Sequence, residues 1–152
     1  MPLTIQTNSA TETKELGKKL GQLLKPGNVV LLDGELGAGK TTFTQGIAQD
    51  LEIKGHVTSP TFVIAREHKA IGKGPALVHV DAYRLNTLAE ISHLDLASDL
   101  EQSILVVEWG KGLVNDLVTE PIHIQINQFV DNEERREFVI SADESILEGL
   151  AK

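Results

Sequence analysis

The chain has 152 residues, and we interpret residues 1–152 as a single domain. Its formal net charge is −8 and its basic residues are scattered, so the sequence shows no basic patch of the kind that independent nucleic-acid binding needs. There is no cysteine, which excludes disulfides and thiolate chemistry. No apolar run is long enough to span a bilayer and the start has no secretory layout, so we expect a cytoplasmic protein without membrane contact.

The first third of the chain predicts two strands and two helices in alternation. Residues 3–7 form a short predicted strand, and the capping-box pattern from Ser9 to Glu12 predicts the start of a helix. The helix ends at residues 25–28. Residues 29–32 are continuously apolar, which is typical of a strand buried on both faces of a parallel sheet. The first helix places its leucines on one face: Leu16, Leu20, Leu23 and Leu24.

The remainder of the chain is richer in strands. We predict strands at residues 62–65, 76–80 and 104–107, a helix at 85–100, a hairpin of strands 122–130 and 136–141 around 131–134, and a short helix at 145–150. This order predicts an α/β domain with a mostly parallel central sheet flanked by helices and an antiparallel C-terminal extension.

A phosphate-binding loop lies between the apolar strand and the next helix. The pattern G-x-x-x-x-G-K-[ST] is matched by Gly34, Glu35, Leu36, Gly37, Ala38, Gly39, Lys40 and Thr41. Glycines let successive N–H groups turn toward phosphate oxygens, and the helix N-terminus adds a positive dipole end. The motif predicts the P-loop NTPase fold, because it follows a buried strand and opens an amphipathic helix.

The residue types in this loop assign roles around the nucleotide. Lys40 lies against the β- and γ-phosphates, and the Thr41 hydroxyl is a ligand of Mg²⁺. Thr42 follows within the first helical turn and belongs to the same binding segment. The sequence has no Asn-Lys-x-Asp signature of guanine-specific proteins, which favours ATP as the nucleotide.

Two predicted strands end in an acidic residue, Asp81 in one and Glu108 in the other. Ligands of open α/β sheets bind beyond the carboxyl ends of the strands, so both acids are expected beside the phosphate loop. Glu108 has a Walker-B-like position, and we assign it to Mg²⁺, directly or through water. Asp81 holds the water shell of the metal or orients the attacking water, and the spacing leaves the division of labour open. With Lys40, the two acids form the predicted catalytic set.

Two residues beside these acids have alternative interpretations. His79 precedes Asp81 by two positions in one strand, so it either bonds Asp81 or is a satisfied structural histidine. Trp109 directly follows Glu108 and either packs on the nucleotide or a partner or belongs to the core.

The motifs together resemble one family. The loop at residues 34–42 is followed by Ser-Pro-Thr-Phe at 59–62, His-Val-Asp-Ala-Tyr-Arg at 79–84 and Glu-Trp-Gly at 108–110. Their order and spacing resemble the TsaE (YjeE) family of small bacterial ATPases. The resemblance extends from the first strand to about Gly110.

This resemblance implies a role in forming threonylcarbamoyladenosine (t6A) at position 37 of tRNA. Members of the family work with a TsaD–TsaB complex, and their ATP hydrolysis, weak alone and stimulated by the partners, permits multiple turnovers. The tRNA is then contacted only indirectly, through the complex. Carried over by motif, Thr61 senses the γ-phosphate, and Tyr83 and Arg84 complete the second motif, with Arg84 a candidate for partner contact.

Two other functions use the same loop. A small-molecule kinase also binds ATP there, but it needs an acceptor site and an Arg-rich lid, and the sequence shows no cluster of arginines for one. A nucleotide-dependent regulatory module with negligible turnover is the other alternative.

Overall fold

The computed structural model describes residues 2–34, 39–51, 65–68, 75–81, 103–108 and 121–151, with the backbone alone at 65–68 and 80–81. Its strands are β1 (Leu3–Thr7), β2 (Val29–Gly34), β3 (Ala65–His68), β4 (Ala76–Asp81), β5 (Ser103–Glu108), β6 (Ile122–Phe129) and β7 (Asn132–Ser141). Its helices are α1 (Ala10–Gly21), α2 (Lys40–Asp50) and α3 (Glu144–Ala151). The predicted helix at residues 85–100 lies outside the described residues.

The strands form one seven-stranded sheet in the order β1-β7-β6-β2-β5-β4-β3. The four central strands, β6, β2, β5 and β4, run parallel to one another. Antiparallel pairs lie at both sides, with β3 on β4, and with β7 between β6 and β1. The predicted α/β class, with a parallel core and an antiparallel C-terminal extension, is confirmed.

Strand β2 lies at the centre of the sheet, and its composition explains why. All six of its residues are buried, as are all six of β5, which fits strands covered on both faces. Aliphatic side chains of β2, β5 and β6 form one core cluster with α1, α2 and β7. In that cluster the rings of Phe43 and Phe138 lie 5.2 Å apart between centroids. The core therefore fixes β2, and with it the start of the phosphate loop.

Helices α1 and α2 approach each other through glycines. A Cβ atom added at Gly46 would lie 2.1 Å from the backbone oxygen of Lys14, and one added at Gly17 would lie 2.2 Å from that of Phe43. No side chain fits at such a distance, so the two backbones are in direct contact. Since α2 follows the phosphate loop, α1 supports the loop through this contact.

The predicted start of α1 is confirmed at its cap. Ser9 is the N-cap, and its Oγ accepts a hydrogen bond from the N–H of Glu12 at 3.1 Å. The helix ends at Gly21, which is earlier than predicted, so Leu23 lies beyond it, half-buried. Leu16, Leu20 and Leu24 are buried in the core cluster, as the spacing predicts.

The predicted hairpin needs one correction, at its turn. Strand β6 ends at Phe129 and β7 begins at Asn132, so the connection has two residues instead of the predicted four. The Asn132 Oδ1 accepts hydrogen bonds from the N–H groups of Glu134 and Arg135, at 3.0 Å and 3.2 Å. This local bonding accompanies a register shift after Gln128 and keeps the polar segment within β7.

The described helices offer no candidate for crossing a membrane, since none combines the required length with sufficient hydropathy.

Candidate functional site

The two ends of the predicted phosphate loop come together in the structure. Gly34 ends β2, and Lys40 begins α2. The Lys40 Nζ donates a hydrogen bond to the backbone oxygen of Gly34 at 2.5 Å, and the lysine is only 6% exposed. Residues 35–38 lie outside the described residues, as does Thr61. The ammonium group is therefore placed at the exit of the central strand, where a P-loop lysine meets phosphates.

Gly39 is the N-cap of α2, and its backbone explains the glycine in the motif. Its φ is 102°, in the left-handed region that residues with a Cβ rarely adopt. Thr41 and Thr42 lie half-buried in the first helical turn. The first turn of a helix presents N–H groups without intrahelical acceptors and a positive dipole end. This end of α2 is suited to an anion such as phosphate.

The acidic strand ends lie beside the loop. In the sheet register Leu32 pairs with Glu108, two residues before β2 ends, and Glu108 pairs in turn with Asp81 on the next strand. Glu108 is a buried carboxylate. Of Asp81 only the backbone position is described, so its predicted role stays a prediction. The register places both positions at the carboxyl ends of β5 and β4, on the edge of the sheet where β2 also ends.

His79 has a partner other than the one the sequence indicated. Its Nε2 lies 2.6 Å from Oε2 of Glu108, and both residues are buried. The contact crosses from β4 to β5, because His79 pairs with Val106 and Glu108 follows two positions later on the same face. The strand register, which the sequence does not reveal, thus gives His79 a contact with Glu108. The Asp81 side chain lies outside the described part of the chain, so its bond to His79 stays a prediction.

A groove of about 180 Å³ adjoins the first turn of α2. It is lined by residues of α1, α2 and β7: Ala10, Thr13, Gly39, Thr42, Glu133, Glu134 and Arg136. Thr13 is fixed there by a 2.7 Å hydrogen bond between its hydroxyl and that of Thr7. Sequence reasoning missed the residues from α1 and β7, because no local pattern marks them and only the fold brings them to the loop.

A second imidazole–carboxylate pair lies on the other face of the sheet. Asp33 directly precedes the loop, and its Oδ2 lies 2.7 Å from Nε2 of His123 on β6. Successive residues of a strand face opposite sides, so Asp33 lies on the face opposite to Leu32 and Glu108. The pair links β2 to β6 just before the chain enters the loop. No local signal in the sequence connects two residues so far apart.

The described residues fit a magnesium ion bound together with a nucleotide. No group of three or more His, Cys, Asp or Glu side chains within the described ranges is arranged to hold a metal alone. Mg²⁺ usually has few protein ligands, binding through one or two oxygens together with water and phosphate. The Thr41 hydroxyl and the Glu108 carboxylate supply oxygens of that type, and the His79 contact occupies only Oε2 of the carboxylate.

Tyr83, Arg84 and Trp109 lie outside the described residues, so their predicted roles stay predictions.

Known proteins resemble this chain along most of its length. A family model described as "Threonylcarbamoyl adenosine biosynthesis protein TsaE" matches residues 7–138. The chain is 52% identical over 118 residues to the tRNA threonylcarbamoyladenosine biosynthesis protein TsaE of Streptomyces coelicolor, covering 77% of this chain and 80% of that protein. The protein of the same name from Bacillus subtilis is 39% identical over 137 residues, covering 90% of this chain and 84% of the relative.

A solved structure agrees with these relatives. The crystal structure of YdiB from Bacillus subtilis matches with a TM-score of 0.73 and 32% sequence identity, over 99% of this chain and 95% of that one. The family match runs from the end of β1 into β7, through the phosphate loop and both acidic strand ends. The chain therefore belongs to the TsaE family.

Proposed function

We propose that this protein binds ATP with Mg²⁺, hydrolyses it, and serves the t6A modification of tRNA in the cytoplasm together with a TsaD–TsaB complex. The observation that carries the proposal is the buried Lys40 ammonium between the two ends of the phosphate loop. The Gly34 oxygen holds this ammonium group at the exit of the central strand, beside the helix N-terminus, and this is the place where a P-loop lysine binds phosphate oxygens. The names of the relatives support the pathway.

The phosphates are held by the loop and the start of α2. Residues 35–39 and the first helical turn would hold the phosphate oxygens through their N–H groups, with Lys40 on the β- and γ-phosphates. The Thr41 hydroxyl would be a ligand of Mg²⁺, and Thr42 would belong to the same binding segment. Thr61 completes the set as the residue that senses the γ-phosphate.

Hydrolysis is assigned to the acidic strand ends. Bound Mg²⁺ neutralises the charge that develops on the phosphate oxygens. Glu108 serves the metal directly or through a water, and Asp81 is its neighbour in the strand register. One of these two carboxylates orients the attacking water. Because Glu108 is buried, its carboxylate is held in place before the nucleotide binds.

The nucleoside is assigned to the groove beside Thr42. The groove adjoins Gly39 and Thr42 at the first turn of α2. Exposed carboxylates of Glu133 and Glu134 line it, and carboxylate oxygens accept hydrogen bonds from ribose hydroxyls and from the amino group of adenine.

The partners follow from charge as well as from the family. A chain of net charge −8 gains little binding free energy from contacts with tRNA phosphates, so the tRNA is bound by TsaD and TsaB. Docking on a more basic partner surface is the electrostatically favourable alternative.

The test is reconstitution of t6A formation with purified TsaD, TsaB, this protein, ATP and tRNA. Wild-type protein should permit several modifications per TsaD–TsaB complex and release phosphate without an added small-molecule acceptor, which a kinase would need. Glu108→Gln should bind ATP in EDTA with an affinity similar to that of the wild type but lower phosphate release with Mg²⁺ at least about tenfold, as expected for loss of one charged group at the reacting centre.

The matched control is Glu148→Gln, which removes the same charge from the exposed surface of α3 and should behave like the wild type. If t6A formation is the same with and without this protein, the pathway assignment is wrong. If Glu108→Gln hydrolyses ATP at the wild-type rate, the role of Glu108 is wrong.

A further inference from the structure

The most unusual buried group in the described part of the chain is His79. It is fully buried on β4, and its register partner Val106 belongs to the core cluster. Leu77, two positions earlier on the same face, is also in that cluster. Stability alone does not require a polar pair here, because a buried pair such as His79 and Glu108 is often no more stable than two apolar side chains of the same size.

Among the described residues, the imidazole of His79 makes one polar contact, with Glu108. Since an ionised carboxylate only accepts hydrogen bonds, Nε2 of the ring carries the proton and donates it to Oε2 at 2.6 Å. The other ring nitrogen, Nδ1, is buried and has no hydrogen-bond partner among the described residues. Within that part of the chain, the polar function of this histidine is therefore directed at Glu108.

We propose that His79 is a positioning residue, which holds the Glu108 carboxylate in the orientation that serves Mg²⁺. The proposal rests on the proposed function of Glu108. By binding Oε2, the imidazole fixes the rotation of the carboxylate and leaves Oε1 for the metal or one of its waters. Outer-shell hydrogen bonds of this kind set the orientation of metal-binding carboxylates, and losing one costs about 10- to 100-fold in metal affinity.

The test compares three substitutions at one position. His79→Gln places an amide N–H near the position of Nε2 and keeps a donor for Glu108. His79→Asn is equally polar, but its shorter side chain withdraws the donor. His79→Leu fills a similar volume without any polar group. The contrast between Gln and Asn separates the hydrogen bond from the general effect of a polar residue.

The readout is the affinity for ATP, measured by calorimetry with Mg²⁺ and again with EDTA. In the wild type we expect Mg²⁺ to strengthen ATP binding. In His79→Asn and His79→Leu the factor by which Mg²⁺ strengthens ATP binding should be about tenfold smaller than in the wild type. Their affinity for ATP in EDTA should stay within about twofold of the wild type. His79→Gln should keep most of the gain. Thermal unfolding of His79→Leu should show a lower melting temperature than that of the wild type, because the buried Glu108 carboxylate loses its hydrogen-bond partner.

The results separate the inference from the function on which it rests. If all three variants keep the wild-type gain from Mg²⁺, the positioning role is overturned while the function stands. If the wild type itself binds ATP equally well with and without Mg²⁺, the metal-dependent function is wrong and the inference falls with it. If His79→Leu does not fold, the other two variants still test the positioning role. That role is overturned if Mg²⁺ strengthens ATP binding equally in His79→Gln and His79→Asn.

Discussion

At the scale of single residues, the site depends on charged groups that are buried before any nucleotide is bound. Lys40 and Glu108 are 6% and 4% exposed. Each has a protein partner, the Gly34 oxygen for the lysine and His79 for the carboxylate. Such groups are costly to bury, but they are already oriented, so binding does not have to order two flexible side chains.

Removal of the Lys40 charge should weaken nucleotide binding. We expect Lys40→Ala to lower ATP affinity roughly 10- to 100-fold, because charge-assisted hydrogen bonds are worth about 1.5–3 kcal/mol each. Calorimetric titration with ATP checks this. Lys18→Ala is the control, since Lys18 is an exposed lysine of α1 and its loss should leave the affinity unchanged. Wild-type affinity in Lys40→Ala would contradict the P-loop assignment.

At the scale of helices and strands, the contacts that support the loop lie behind it. Helix α2 is packed against α1 so closely that Gly17 and Gly46 each meet a backbone oxygen of the other helix. Helix α3 packs on the same core through Ile146 and Leu150. These contacts determine where the first turn of α2 lies.

The α1–α2 contact predicts that a glycine-to-alanine substitution in α2 lowers stability, which is the opposite of the usual effect in a helix. Gly→Ala inside a helix normally stabilises by roughly 0.5–1 kcal/mol. At Gly46 the new methyl group would overlap the Lys14 backbone, so we expect Gly46→Ala to destabilise the fold by about 1–3 kcal/mol. Urea unfolding measures the difference. Gln49→Ala, at an exposed position of the same helix, should be neutral or slightly stabilising, and a stabilised Gly46→Ala protein would show that the helices are not in such close contact.

The cap of α3 predicts a dependence of stability on pH. Asp143 Oδ1 accepts a hydrogen bond from the Ser145 hydroxyl at 2.6 Å and one from the N–H of Ile146 at 3.1 Å. These bonds, led by the one from Ser145, hold the pKa of Asp143 below its ordinary value of 3.8. A carboxyl group with a lowered pKa stabilises the folded state above its unfolded pKa and loses that effect as the pH falls through the folded pKa.

Asp143→Ala should therefore lower the melting temperature at pH 7, and the difference from the wild type should shrink as the pH falls below 3.8. Thermal unfolding followed by circular dichroism from pH 7 to pH 3 checks both parts. Glu15→Ala, an exposed substitution in α1, controls for the loss of one negative charge. A difference that stays constant over the whole range would assign the effect to something other than this carboxylate.

At the scale of the whole molecule, the acidic chain is suited to a partner that contacts tRNA in its place. We expect no binding of tRNA by the isolated protein at physiological salt, with or without ATP, because it cannot exchange enough phosphate counterions. Electrophoretic mobility shift with the protein alone and with TsaD–TsaB added checks this. Salt-dependent binding of tRNA by the protein alone would show a basic surface that its composition does not indicate.

Local patterns predicted those parts of the molecule that depend on neighbouring residues. The cap at Ser9, the loop from Gly34 and the buried strand before it could all be read from the sequence, because their chemistry is contained in a few adjacent positions. The His79–Glu108 contact could not, since it depends on which residues of β4 and β5 face each other. The groove could not either, because α1 and β7 come to the loop only through the folded sheet.

The pairing of β1 has a consequence for the order in which the protein is made. In the described part of the chain, β1 pairs with β7 alone, and Leu3 lies opposite Ile140. Strand β1 is therefore synthesised well before β7, the strand with which it pairs, and joins the sheet only when β7 has been made. Pairing over such a long stretch of sequence is slow, and an unpaired strand edge is prone to aggregate during that time. During synthesis there is thus an interval in which the phosphate loop and α2 have been made, but the groove beside them still lacks the residues that β7 contributes.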